Sequence, residues 1–148
     1  MKKYFSTILI IFLSLSLIAC SNNLTTSSCS YKIETGEIIT VELDSKYEQV
    51  ADIPFQIKKD SQVIFIGNFL SKDWCLDYIK QSIENRVKIK DGNIGENSYY
   101  LFKDETLDEY EYLVFIHDSE IAVSLVSNGE MEELEECFYS MNVSQITN

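Results

Sequence analysis

The chain has one histidine among its 148 residues, and that scarcity removes two kinds of chemistry. A single imidazole, His117, cannot build a histidine-based metal cluster, and without local companions it is not equipped to serve as a nucleophile's base. It is read as a structural residue at the end of a strand. No Gly-x-Ser-x-Gly elbow, glycine-rich phosphate loop or His-Glu-x-x-His occurs in the sequence, so the usual signatures of hydrolases, nucleotide enzymes and metalloproteases are missing. Positive charge is also sparse: 12 Lys and Arg stand against 24 Asp and Glu, for a net charge of −12. Such acidity disfavours nucleic acid, and it disfavours a polybasic grip on anionic lipid or wall polymer. One stretch imitates a calcium loop. KDGNIGEN, Lys90 to Asn97, clusters Asp91, Asn93 and Glu96, yet loop position six is Glu96 where glycine is needed and position twelve is Phe102 where a bidentate acid is needed. A polar turn is the reading there, and no catalytic residue, metal or cofactor is assigned.

What the chain does have begins at its first residue. Lys2 and Lys3 precede an uncharged, mostly apolar run from Tyr4 to Ala19, which ends abruptly at Ser21, Asn22 and Asn23. That is the three-part layout of a secretory signal. Sixteen helical residues span about 24 Å, short of the roughly 30 Å hydrocarbon core of a bilayer, so a permanent transmembrane helix is the weaker reading. Leu17, Ile18, Ala19 and Cys20 resemble the lipobox of bacterial lipoproteins, with an aliphatic residue three positions before the cysteine and a small one directly before it. The resemblance implies that Leu17, Ile18 and Ala19 are the signal-peptidase recognition residues, that cleavage falls before Cys20, and that the Cys20 sulfur carries a diacylglyceryl group. It implies a lipid-anchored protein on the extracytoplasmic side of the cell membrane. Two or more acyl chains, at about 0.8 kcal/mol per buried methylene, anchor stably where one does not. The mature chain then has 129 residues and, having lost two lysines, a charge of −14. That length suffices for one core.

Ser21 to Ser30, SNNLTTSSCS, is dominated by Ser, Thr and Asn, a composition that reads as a flexible tether. A single domain is expected over residues 31–148. Tyr31–Glu34 and Glu37–Leu43 flank the turn signal Thr35-Gly36, and Ile39, Val41 and Leu43 alternate with polar neighbours, so the pair reads as a hairpin. Phe55 and Ile57 alternate in the next strand, and Val63–Phe69 is apolar on both sides, which calls for structure above and below it. Ser71–Arg86 is expected to be a helix. Ser71 is placed as its N-cap, Asp73 lies in the first turn, and Trp74, Tyr78, Ile79 and Ile83 form its apolar stripe. A short strand at Arg86–Lys90 precedes three more at Ser98–Lys103, Glu111–His117 and Ile121–Val126, the last two joined by a tight link. A second helix follows Gly129, with Met131, Leu134, Phe138 and Met141 at helical spacing and a glutamate-rich solvated face.

Strands, helix, strands, helix, with hairpins and no βαβ rhythm, give an α+β fold with a mostly antiparallel sheet and two principal amphipathic helices. From Ile38 to Val143 this order loosely resembles the PsbP/Mog1-like α/β/α sandwich, in which helices cover a long antiparallel sheet. Members of that class serve as binding or assembly partners without a shared catalytic apparatus, so the resemblance implies a fold and no activity.

With Cys20 acylated, Cys29, Cys75 and Cys137 remain, and an odd number cannot pair completely. If both helices cover one sheet face, Cys75 and Cys137 form a disulfide worth roughly 4 kcal/mol on the chain-entropy model; the equally weighted alternative is two buried thiols. Tyr99, Tyr100, Tyr110 and Tyr112 alternate between strand faces, so half are core, and an exposed patch of the others would mark a binding surface. The sequence therefore points to a non-enzymatic, membrane-anchored protein that binds a protein or small ligand. The runner-up is an envelope enzyme whose active site is assembled from dispersed carboxylates or from Cys75, Cys137 and His117.

Overall fold

The computed structural model describes residues 16–22, 25–81 and 83–146. Most of the expected signal segment lies outside the described residues. Eleven strands and two helices are found among those described, in the order β1 (Ser16–Asn22), β2 (Thr26–Lys32), β3 (Ile38–Asp44), β4 (Glu48–Val50), β5 (Phe55–Lys59), β6 (Gln62–Ser71), α1 (Lys72–Lys80), β7 (Arg86–Ile94), β8 (Asn97–Asp104), β9 (Glu109–Phe115), β10 (Ile121–Ser127), α2 (Met131–Tyr139) and β11 (Asn142–Ile146). They build two sheets. The larger has the order β4-β5-β6-β10-β9-β8-β7 and the smaller β1-β2-β3-β11. Every paired neighbour is antiparallel. The α+β class with a mostly antiparallel sheet is thus what the chain forms.

Alternation along β9 explains the layering, because successive side chains of a strand leave on opposite faces. Tyr112 and Val114 join the main core with β2, β3, β11 and α2, while Leu113 and Phe115 join a second cluster with Cys75 of α1. The large sheet therefore lies between α1 on one face and the small sheet with α2 on the other. Aromatic rings fill the interior on the second face: Tyr31 lies 5.4 Å from Phe55 and 5.0 Å from Phe69, and Phe138 stacks on Tyr112 at 4.0 Å. Gln49 on β4 ties the sheets together by donating Nε2 to the carbonyls of Ser27 and Val41, at 3.1 and 3.0 Å.

The β2–β3 hairpin turns where Thr35-Gly36 signals it. Gly36 has φ of +93°, and its N–H bonds the Ile33 carbonyl at 2.8 Å. Gly95, at φ +59°, turns β7 into β8, so KDGNIGEN is a hairpin bend with Ile94 opposite Asn97.

Three expectations need correction. The first is the flexible tether: Thr26–Ser30 belongs to β2 and sits inside the small sheet. Its Ser and Thr composition conceals a period of two, in which Ser27, Cys29 and Tyr31 are buried while Thr26, Ser28 and Ser30 face outward, and Ser30 Oγ pairs across the ladder with Thr40 Oγ1 at 2.9 Å. The folded unit consequently begins before Tyr31.

The second is the first helix, which ends at Lys80 well short of Arg86. Asn85 takes a left-handed φ of +66°, and Arg86 enters β7 opposite Asp104. Ser71 holds the N-cap position with extended backbone and makes no side-chain cap hydrogen bond. The third is the Cys75–Cys137 bridge. Both are free and fully buried, and α1 and α2 cover opposite faces of the large sheet, so the condition for that disulfide is not met.

Candidate functional site

His117 ends up at a corner where two clefts meet. Its strand, β9, stops at Phe115, and the tight link His117–Glu120 carries the chain into β10, with Asp118 held at φ +54°. One cleft, of about 630 Å³, is lined by Lys72, Leu76, Tyr100 and Phe115 together with Glu96, Ser98 and the whole of the link. The other, of about 320 Å³, runs along the edge of β11 from Asn142 to Gln145 and is closed on its far side by Gly95, Glu96, Asn97 and the His117–Asp118 corner. The first combines an apolar floor with charges of both signs, which suits a peptide segment or a small molecule with polar and apolar parts.

Hydrogen bonds fix this corner from three directions. Buried Asn97 accepts the His117 backbone N–H at Oδ1, 2.8 Å away, and donates Nδ2 to the Val143 carbonyl at 2.7 Å, joining the large sheet to β11. Ser119 Oγ donates to Glu37 Oε1 at 2.7 Å and accepts the Ile121 N–H at 3.0 Å, which fastens the link to the β2–β3 turn. Lys72, at the start of α1, donates Nζ to the Ile116 carbonyl at 2.9 Å. The His117 ring itself is half exposed and lies 3.4 Å from the Asp118 carboxylate.

A second polar group sits beneath α1. Glu111 receives hydrogen bonds from Ser124 Oγ at 3.0 Å and Tyr78 Oη at 3.4 Å, and Arg86 Nη2 lies 3.6 Å from it. The guanidinium stands 3.6 Å from the Phe102 ring centre and 3.9 Å from that of Tyr78, on which Trp74 stacks. Burial raises the Glu111 carboxyl above its ordinary range, against the lowering pull of Arg86. The cavity here, about 70 Å³, is lined by one carboxylate, that of Glu111. It shows none of the paired, oppositely perturbed carboxylates that acid–base catalysis would use.

The remaining candidates are dispersed. Burial pushes the Cys75 and Cys137 thiols up to about 12, so neither is a ready thiolate, and neither lines the His117 clefts. Tyr99 and Tyr112 lie in the core, while Tyr100 and Tyr110 are half-buried on opposite faces, so the four make no common patch. Among the described residues, no group of three or more His, Cys, Asp or Glu is placed to hold a metal ion. Nor is any described helix long and apolar enough to cross a membrane.

Cys20 lies on the outer strand of the small sheet, exposed, directly opposite Cys29, and the two are joined by a disulfide. Ser16 to Ala19 continue the same strand. That pairing is not legible in the sequence, since it depends on β2 being a strand. Nor is the His117 corner, which is assembled from segments far apart in the chain. Comparison of the chain with protein-family models, with curated proteins and with solved structures finds no match.

Proposed function

We propose that this is an extracytoplasmic lipoprotein, acylated at Cys20 and held on the cell membrane, whose folded domain binds a protein or a small ligand without catalysing a reaction. The observation that carries the binding reading is the meeting of two clefts at a corner that Asn97, Ser119 and Lys72 hold rigid. The anchor rests on the lipobox residues Leu17, Ile18, Ala19 and Cys20, and the exposed position of Cys20 on an outer strand is compatible with its processing. One sulfur cannot hold both a thioether and a disulfide, so acylation leaves Cys29 as a buried thiol. A PsbP/Mog1-like sandwich is the finer fold reading; α1 and α2 on opposite faces of one long antiparallel sheet support it, while the second sheet is an addition to that plan.

Crosslinking in intact cells, followed by mass spectrometry, tests both parts. The expected result is an acylated polypeptide beginning at Cys20, crosslinked to a discrete partner or retaining a discrete ligand, with the capture lost in Tyr100→Ala and His117→Ala. A chain that retains residues 1–19 and carries no acyl mass refutes the anchor. Capture unaffected by both substitutions refutes the site.

An enzyme of the Cys and His type is disfavoured by the burial of Cys75 and Cys137 away from the His117 clefts. For one of dispersed carboxylates, the cavity beneath α1 offers Glu111 alone, paired with Arg86.

A further inference from the structure

Among the described residues the small sheet has two edge strands, and they differ in what surrounds them. One is β1, the other is β11. Because β2 begins at Thr26, at most Ser21–Thr25 separate an acylated Cys20 from the folded sheet. Five extended residues reach about 17 Å, so the lipid holds the β1–β2 edge close to the bilayer, with no room for the long spacer that the composition implied. In the full chain the separation is smaller still, since Cys20, Ser21 and Asn22 are in register with Cys29, Ser28 and Ser27.

Charge selects the same edge. The chain has 24 Asp and Glu, yet the first of them is Glu34, and between Cys20 and Ile33 the only charged side chain is Lys32. An acidic domain approaching anionic headgroups is repelled within a Debye length, about 8 Å at physiological salt, wherever its carboxylates face them. The β1 and β2 strands carry none, and the nearest, Glu42 and Asp44, sit one strand further in on β3, opposite Ser28 and Thr26. The β11 edge stands three strand spacings away, about 14 Å, and lines a cleft with Glu96 and Asp118 on its other wall.

We infer that the domain rests on the membrane by its β1–β2 edge and presents the His117 clefts on the opposite side, away from the lipid. The partner of the first edge is the bilayer surface itself. The partner of the clefts must then approach from beyond the membrane plane, which excludes a ligand taken up directly from the lipid headgroups. This orientation rests on the Cys20-acylation reading.

Acylated protein carrying Ser28→Cys or Ser144→Cys, labelled with a fluorophore and reconstituted in vesicles of phosphatidylglycerol and phosphatidylethanolamine, tests the orientation. Nitroxide-bearing headgroups report proximity by quenching. Native Cys29, Cys75 and Cys137 are at most 2 % exposed, so labelling of the folded protein is confined to the introduced thiol. Several-fold stronger quenching at residue 28 than at residue 144 is expected. Equal quenching, or the reverse order, overturns the orientation while leaving the anchor intact. Protein with no acyl mass that fails to sediment with vesicles overturns both. Thr26→Cys and Asn142→Cys form a second pair, on the same two strands, should either of the first variants fold poorly.

Discussion

Asn97 and Val143 hold the two sheets together at the candidate site: the Asn97 amide reaches from the start of β8 to the Val143 carbonyl on β11, 2.7 Å away. The same side chain receives the His117 N–H, so one residue positions both walls of the smaller cleft. A buried side chain with two backbone partners is costly to remove, because each partner is left without its bond. Asn97→Ala is expected to lower stability by about 2–3 kcal/mol. In urea unfolding the midpoint should fall with the slope unchanged, and ligand capture at the His117 corner should weaken along with it. A midpoint equal to that of the native sequence would show that the amide holds nothing in place.

The Arg86–Glu111 pair is set apart from the surface ion pairs by its burial, with side chains 6 % and 19 % exposed. Breaking such a pair from one side leaves an uncompensated charge under α1. Arg86→Leu is therefore expected to cost about 3–5 kcal/mol near neutral pH. The loss should shrink as the solution is acidified. Glu111 has a folded-state titration already raised by burial, and without Arg86 it rises further. Below 4.5, the ordinary glutamate value, the carboxyl is protonated folded or unfolded and the penalty vanishes; it grows as pH rises through the raised value. Unfolding free energies of both proteins across the acid range check this, and a pH-independent difference would refute it. Exposed Glu136 has the opposite sign: its hydrogen bond from Lys46 lowers its titration, so its contribution is present above the ordinary range and fades as pH falls.

Gly67 faces Phe55 across β5 and β6 so closely that a Cβ built there lies 2.1 Å from the ring. Phe55 is fully buried and packs against Tyr31 and Phe69, which leaves the ring nowhere to retreat. Gly67→Ala should destabilise the protein by about 3 kcal/mol through overpacking. Phe55→Leu in the same chain should restore part of the loss, a coupling that thermal unfolding of the single and double variants would measure.

Ile39, Val41 and Leu43 announced β3, and Met131, Leu134 and Phe138 announced α2, because a buried face written in large apolar residues keeps its period regardless of what packs on it. The strand at Thr26–Lys32 was hidden for the converse reason: Ser27 and Cys29 occupy inward positions, and small side chains leave little apolar contrast to read. Likewise β11 is short and mostly polar, and it exists because β3 offers a free edge for it to pair with. The early end of α1 is a tertiary effect, since Arg86 is drawn onto the sheet beside Phe102 and Glu111. The candidate site was illegible for a related reason. Lys72, Glu96, Asn97, His117 and Val143 come from four separate stretches of chain, and nothing local marks any of them as neighbours.

Thiol counting tests the anchor and the fold together. In the folded protein Cys75 and Cys137 are fully buried, with their ionisation pushed up to about 12 by desolvation, so neither should react with an alkylating reagent that readily labels exposed cysteine. Unfolding without reduction exposes them, and the number of labels then depends on Cys20. If its sulfur carries lipid, Cys29 has no partner, and alkylation should add to Cys29, Cys75 and Cys137. If Cys20 is unmodified, it is joined to Cys29, and the labels should fall on Cys75 and Cys137 alone. Cys20→Ser removes both the acylation site and the partner of Cys29, so the unfolded, unreduced variant should label at Cys29, Cys75 and Cys137, the same three thiols as acylated protein of the native sequence. Protection of Cys75 and Cys137 in the unfolded, unreduced chain would mean that they are bridged after all, which two helices on opposite faces of the large sheet do not allow.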